Sequence, residues 1–503
     1  MKRLTIFFAV LCCVLLAQAQ EKKITIEAGQ LGEALSNSEP FTVLCIVGSI
    51  DARDFEWLGS HALSLSAIDL SGCEIVAFDS SNTMVLGLQS HFNAHEVPAS
   101  AFFGFTALKR VVLPASITAI GDGAFAGCAM LAEVGGGVAV ETIGDFAFSG
   151  CSALAVPPFP ARLKHIGNYA FDKCEAIGSI DLTHCTQLTY IGERAFAHNG
   201  QLVSLKLPTS LRVVGNGAFA ACTALVHIEM PCAMCRLGEA TFAACTALQS
   251  VDLSNTTLES LPAWTFANCH KLNNILLPAT ITSIDEGAFY YCEALPAIEL
   301  PSSTRVLDAF AFAGCSGLKE ITFMPEGVES IERYAFYHNE SSSEVIIPTT
   351  VAYIGDHAFE GCYNASKFHS YREIPASLGE LVFANMEVEK KSLIVAENCE
   401  MVYQSTDQWR SFGNITSSAS VNDIVVRNDL QAHFEQYNLV VTAALDIVEV
   451  RLYDMNGVLL VHATPHSHQT ILNTQPFAGN IYLLQVTTTD GCQAVTKVAR
   501  VIK

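Results

Sequence analysis

A chain of 503 residues that is 50% apolar and only 16% charged has ample material for a core, which excludes a disordered class. Its 50 acidic residues outnumber 28 basic ones for a net charge of −22, and residues 21–420 carry that whole excess. Such a surface repels phosphate backbones, so the composition argues against nucleic acid as partner and for basic protein patches or divalent cations.

The chain opens with Lys2-Arg3, an apolar run from Leu4 to Leu16 and the small-x-small stretch Ala17-Gln18-Ala19. This predicts a secretory signal peptide over residues 1–19, cleaved after Ala19. Cys12-Cys13 raises a lipoprotein alternative, but Val10-Leu11 lacks the small residues that signal needs. No later apolar run reaches the ~18 residues of a membrane span, so no transmembrane segment is expected.

Residues 20–101 read as a capping region. Strands are expected at Ile24-Thr25-Ile26 and Thr42–Val47, and Leu65–Ser71 already has the spacing L-x-x-I-x-L. A terminal coil lacks an outer neighbour, and Asp51, Asp54 and Trp57 are placed to modify that face.

From Ala101-Phe102 the pair Ala-Phe returns at Ala124, Ala147, Ala170, Ala195, Ala218, Ala288, Ala311, Ala335 and Ala358, with Thr241-Phe242, Thr265-Phe266 and Val382-Phe383 as variants. The unit reads A-F-x-x-C-x-x-L-x-x-I-x-L-P-x-x-L-x-x-I-G, as in Ala288–Pro301. A repeat of roughly 23–25 residues with one short L-x-x-I-x-L strand lies in the 20–29 range of leucine-rich repeats, in which no unit buries its apolar face alone. Residues 102–386 are therefore predicted to be a solenoid of about 13 coils carrying a parallel β-sheet. The repeated Phe125, Phe148, Phe171, Phe219 and Phe289 sit under the preceding turn, and Cys128, Cys151, Cys222 and Cys292 share one slot. Stacking brings neighbouring slots within disulfide range; the plainer reading is a buried column of small thiols filling space, which Asn199 and Asn339 in the same slot favour. Gly135–Gly137 and Pro157-Pro158 are expected to break or bulge the ladder, and the coil from Phe171 carries its extra length around Thr183-His184-Cys185.

Residues 387–420 read as an exit cap with Trp409 and Phe412, followed by a Ser-rich linker. Over 421–503 the period disappears, and alternating strands around Asn456-Gly457 and Asp490-Gly491 predict a small antiparallel β-sandwich.

The A-F-x-x-C, L-x-x-I-x-L-P, L-x-x-I-G unit resembles the BspA-like leucine-rich repeats found on surface proteins of anaerobic bacteria and some protists. The C-terminal region is similar to the type A sorting domain of the type IX secretion system of Bacteroidota. The residues that carry this second likeness are Val450–Gly457, then Gly479-Asn480-Ile481-Tyr482, and a basic tail beginning at Lys497; Gly479 and Tyr482 stand one residue wider than the usual G-x-Y. The resemblances imply export through the periplasm to the outer surface by type IX machinery, then removal of the sorting domain with release or attachment. They also imply an adhesive, non-catalytic role towards host extracellular matrix or other bacterial surfaces. A structural envelope scaffold without host ligand is the alternative.

Period-2 geometry places Asp181, Glu229, Asp252 and Glu299, with Glu133, Glu320 and Glu344 two positions earlier, on one outward strand face. These form a candidate surface for a basic protein segment; the plain alternative is that they keep the ladder soluble and discourage edge pairing. No G-x-S-x-G, phosphate-cradling loop, H-E-x-x-H or EF-hand spacing is present, so no catalytic site, metal or cofactor is expected. Cys232-x-x-Cys235 lies in an inter-strand loop with a local disulfide as its alternative, and His462, His466 and His468 read as a solvated hairpin.

Overall fold

The computed structural model describes residues 20–79, 85, 91–417, 431–435, 438–453, 459–475, 481–489 and 493–499. The chain divides into two compact units, one running to Leu393 and taking in Thr406–Asn414, the other comprising Ile394–Ser405 and the residues from Ile415 onward.

The repeats form a parallel β-solenoid of about 17 turns. The excess over the thirteen expected coils comes from the flanking regions. Glu21–Ile26, Val43–Ile50 and Ala67–Ile75 pair in parallel and continue through Arg110–Leu113, while Ser392–Val395 and Asn414–Ser417 extend the other end. The L-x-x-I-x-L segments make this front ladder. A second parallel ladder, not expected from the sequence, runs along the x-Ile before each Gly, for example Thr142-Ile143, His165-Ile166, Tyr190-Ile191 and Val213-Val214 in strict register.

The third side of each coil is a turn edge in which two residues adopt left-handed backbone. One precedes Ala-Phe (Phe146, Tyr169, Arg194, Trp264, Phe310, Tyr334, His357) and one precedes the Cys slot (Lys173, His198, Tyr291, His338). Non-glycine residues enter this region at a cost of roughly 1 kcal/mol. What offsets it is an N–H pointed at the next coil: Phe146 donates to the Asn168 carbonyl at 2.7 Å, and Lys173 to that of Ala197 at 3.0 Å. The edge is thus a third hydrogen-bonded ladder.

Inside, the repeated Phe rings stack face to face from Phe102 to Phe383. Centroids lie 5.0 Å apart at Phe125–Phe148, 5.7 Å at Phe219–Phe242 and 6.1 Å at Phe359–Phe383. Aromatic rings close both ends. Phe55, on the helix Ala52–His61, meets Phe102 edge-on at 5.5 Å, and Phe412 meets Phe383 edge-on at 5.1 Å with Trp409 beside it. Asp54 accepts from the N–H groups of Gly29, Leu31 and Asp51, and Asp51 holds Arg53 at 2.6 Å, so the entry helix is pinned by its acids. Trp57 instead packs on Gly32 and stacks with His61 at 4.8 Å.

The Cys slot does more than fill space. Each thiol donates to the carbonyl of the Phe one coil back: Cys128 to Phe102 at 3.0 Å, Cys151 to Phe125 at 3.1 Å, Cys222 to Phe196 at 3.3 Å and Cys292 to Phe266 at 3.3 Å. Asn199 and Asn339 put an amide N–H on the same carbonyl, of Phe171 at 3.0 Å and Phe312 at 2.9 Å. Cys and Asn interchange because both are compact donors. Every described cysteine is unpaired.

Proline sets the seams. The chain over Pro157-Pro158 forms no strand, as expected of residues without a ladder donor. Pro296 takes the position from which Asn273 donates to Gln249, and the front ladder stops at Asn274–Leu276. On the second ladder, Pro262 stands where Gly238 donates to Val214, and the sheet ends at Arg236-Leu237 to restart at Ser260-Leu261. Gly135–Gly137 overturn the expected break: Glu133–Gly136 pairs in register with Arg110–Leu113. Gly136, at φ 79°, brings its backbone so close to the Leu113 carbonyl that a Cβ would collide with it.

In the second unit the long strand Asn438–Tyr453 pairs antiparallel with Gln431–Glu435 and Ser467–Asn473 along its first half, and with Leu459–Ala463 and Ile481–Thr488 along its second. Ile481–Thr488 in turn pairs with Gln493–Ala499. Leu439, Val441, Val450, Leu452, Tyr482 and Leu484 cluster in its core.

Truncating a central ring, as in Phe219→Ala, is expected to lower stability by about 3–5 kcal/mol, measured by urea unfolding. The buried thiols of Cys222, Cys269, Cys315 and Cys362 are pushed up to about 12 by burial. An unfolded thiol loses its proton near pH ~8.5. The unfolded chain therefore releases protons first, so stability is complete below that pH and falls as pH rises towards 12. Replacing Cys245 and Cys269 with Asn is expected to flatten this alkaline loss while leaving the neutral-pH unfolding midpoint within about 1 kcal/mol.

Candidate protein-binding surface

The front ladder turns alternate side chains outward, and one uninterrupted stretch joins Ser179–Asp181, Ser204–Lys206, His227–Glu229, Ser250–Asp252 and Asn274–Leu276. Two outward rows result. Ser179, Ser204, His227, Ser250 and Asn274 form a neutral polar row, in which the His227 Nδ1 and Ser250 hydroxyl lie 2.6 Å apart. Asp181, Lys206, Glu229, Asp252 and Leu276 form the second row.

The seven acids expected on this face do not form one stripe. Asp181 is bonded by the Thr183 hydroxyl at 2.6 Å and lies 3.7 Å from Lys206; the bonds from Thr183, with Lys206 adding a smaller pull, hold its carboxyl below the ordinary range. Glu133 pairs with Arg110 at 3.2 Å, and Glu344 with His369 at 2.7 Å. Glu299 and Glu320 are exposed on stretches without regular strand pairing, beyond the Pro296 seam. Glu229 and Asp252 are different. They are direct register partners on neighbouring strands, roughly 4.8 Å apart by strand spacing, and among the described residues no ion pair holds either. Asp252 accepts only from Ser254, at 2.6 and 2.8 Å.

Beside them a groove of about 480 Å³ opens between Val203–Leu207 and Val226–Pro231, lined by Lys206, His227 and Glu229 with Leu205 and Met230 at its apolar part. Cys232 and Cys235 are exposed and unpaired in the loop beyond it. In the second unit His462 and Glu449 lie 2.7 Å apart and His468 and Asp446 3.6 Å apart. Among the described residues no group of His, Cys, Asp or Glu converges to hold a metal ion, and no helix is long and apolar enough to cross a membrane. Of the residues read as a sorting signal, Tyr482 is buried in the core of the second unit and Lys497 lies on the strand Gln493–Ala499; Gly457 and Gly479 fall outside the described residues.

Overlapping stretches at 95–225, 189–308 and 282–406 match the family model of the BspA type leucine rich repeat region. The chain belongs to the BspA-type leucine-rich repeat family. No curated protein sequence matches it. Among solved structures, it is similar to a leucine-rich repeat protein from Bacteroides ovatus at 26% identity, covering 56% of this chain and 83% of that one with a TM-score of 0.38. A leucine rich cell surface protein from Faecalibacterium prausnitzii is 24% identical over 63% of this chain and 87% of its own, with a TM-score of 0.38. The pneumococcal vaccine antigen PcpA is 20% identical over 65% and 85% respectively, at 0.37. The BspA-type repeats of this chain put a leucine-rich solenoid, a class made of extended protein-binding surfaces, behind the acidic pair.

Residues missed by the sequence reading lie on the turn edge, where Trp264, Tyr290, Tyr291, Phe310, Tyr334 and Tyr337 gather within ring-contact distance of their neighbours. Their signal lies in the positions flanking each repeated Phe, two before it or one to two after it. Exposed front-face charges carry little stability, so Glu229→Lys/Asp252→Lys is expected to unfold within about 0.5 kcal/mol of the parent in urea, leaving binding effects interpretable.

Proposed function

We propose that this protein is an exported, non-catalytic protein-binding module whose front ladder docks a basic polypeptide segment through Glu229 and Asp252 and the groove beside them. The observation that carries this reading is the uncompensated pair. Like charges directly opposite on neighbouring strands destabilise a sheet, and nothing in the packing of this one calls for them. A cationic partner relieves the repulsion and gains from the field of an acidic surface, which steers encounter. The remaining acids of the candidate set, Glu133, Asp181, Glu299, Glu320 and Glu344, widen the attraction without forming the contact. Adhesion to host extracellular matrix or to neighbouring bacteria is the biological setting that the family resemblance suggests.

The leader pattern at residues 1–19 and the C-terminal likeness support export and type IX sorting, with residues 421–503 removed at the surface. Mass measurement of the mature C-terminus from fractionated cells tests this part. Loss of the residues after about 420 at the cell surface is the expected result, and an intact chain held in the periplasm overturns it. For binding, Glu229→Lys/Asp252→Lys is expected to weaken capture of basic matrix-protein fragments about tenfold or more at low salt, with a shallower salt dependence. Unchanged affinity and salt slope at two ionic strengths would remove the front face from the reading.

A further inference from the structure

The turn edge between Trp264 and Tyr363 carries a second surface that the repeat architecture does not require. The two left-handed positions hold only Gly or Ala in coils such as those with Gly217 and Ala221 or Ala240 and Ala244, whereas this stretch places Trp264, Tyr291, Phe310, Tyr334, His338 and His357 there. These rings are laid along the edge by the fold. Trp264 lies over Gly287, and Tyr291 over Gly314, where a Cβ would sit 3.0 Å from the ring. Phe310, Tyr334 and His357 stack in parallel at 4.8 Å steps. Other rings stand across them: Tyr337 against Tyr334 at 5.4 Å and 83°, Tyr290 against Tyr291 at 4.6 Å and 71°, and His338 against Tyr363 at 5.9 Å and 82°. Tyr363 is 47% exposed and Tyr291 36%.

One acid stands within this group. Glu360 has its side chain only 14% exposed and is fixed by His357 Nδ1 at 2.6 Å and the Asn385 amide at 2.7 Å. Tyr337 packs edge-on against His338 at 4.2 Å, whose backbone N–H donates to the Glu360 carbonyl at 2.8 Å, and burial, then the Glu360 carboxylate and the phenols of Tyr291, Tyr334 and Tyr363, raise the Tyr337 hydroxyl above its ordinary range. Glu340 adds a second carboxylate at the rim, 3.0 Å from His338.

Rings set perpendicular to one another make walls, and walls of π-faces beside a carboxylate suit a compact organic cation. A sugar is better served by coplanar faces forming a floor. The protein already uses this chemistry on the same edge: Arg333 lies over the Phe310 ring at 6.0 Å and Arg194 over Tyr169 at 6.0 Å. We propose that the aromatic edge is a cation-recognition site that seats arginine or lysine side chains of a basic polypeptide among Tyr291, Tyr334, Tyr337 and Tyr363 beside Glu360. This deepens the protein-binding reading and rests on it for the basic character of the partner, but uses a different face.

The test titrates the full chain with a tetra-arginine peptide in 0.5 M NaCl, where exposed charge pairs are screened and cation–π contacts persist, read by calorimetry and by tyrosine and tryptophan fluorescence. Tyr291→Ala/Tyr363→Ala is expected to weaken binding about tenfold, Tyr291→Phe/Tyr363→Phe to retain it, and Glu360→Gln to weaken it severalfold. Glu229→Lys/Asp252→Lys is expected to leave this high-salt binding unchanged. Equal affinity of the alanine variant and the parent overturns the proposal, as does loss of binding only in the front-face variant, an outcome that leaves the front-face reading standing. Binding of neutral cellohexaose, abolished by the alanine variant, in place of the peptide also overturns it. Loss in the edge variants alone, with low-salt capture by the front-face variant unimpaired, supports the edge and removes the front face.

Discussion

Each coil must lay one phenylalanine ring flat on the ring of the coil before it, and the rest of the repeat is arranged to keep that column in place. The rings can stack at about 5 Å only if the backbone carrying them advances by one strand spacing per turn. The left-handed residues on either side of Ala-Phe achieve this by turning N–H groups along the column, and the Cys or Asn donor ties each Phe carbonyl to the following coil. The column is closed by Phe55 at one end and by Phe412 and Trp409 at the other, so each terminal ring is covered by an aromatic neighbour.

Much of this was legible in the sequence because repetition reports the period directly. The Ala-Phe spacing revealed the column, and Pro157-Pro158 revealed a seam, since a missing N–H has the same effect in any sheet. The second ladder was not legible: its strands are two residues long, too short for alternation to register, and the following Gly reads as a turn. The left-handed edge was hidden for a related reason. Its positions hold Phe, Tyr, Trp, Arg and His as well as Gly, so residue type alone gives no hint of the backbone they adopt. Gly135–Gly137 misled in the opposite sense, because glycine admits a close strand approach as readily as it ends one.

The candidate surface was half legible. Strand alternation reads the acids as outward, but which of them find a cation depends on the residue at the same height one coil away, and that pairing follows from register. Arg110 and Lys206 neutralise Glu133 and Asp181 by this route, leaving Glu229 and Asp252 facing each other. The aromatic edge arises from the same rule, since rings at equivalent positions become neighbours only when coils are stacked.

The proline seams fall at different heights. Where the front ladder lapses at Pro157-Pro158 and after Leu276, the second ladder runs through, and where the second lapses at Pro262 the front strands Ser250–Asp252 and Asn274–Leu276 are paired. The joints are staggered like those of laid brick. A tensile force applied along the stack therefore meets no plane in which all the hydrogen-bonded sides are interrupted together, and tearing would have to step sideways from one seam to the next, across intact rings.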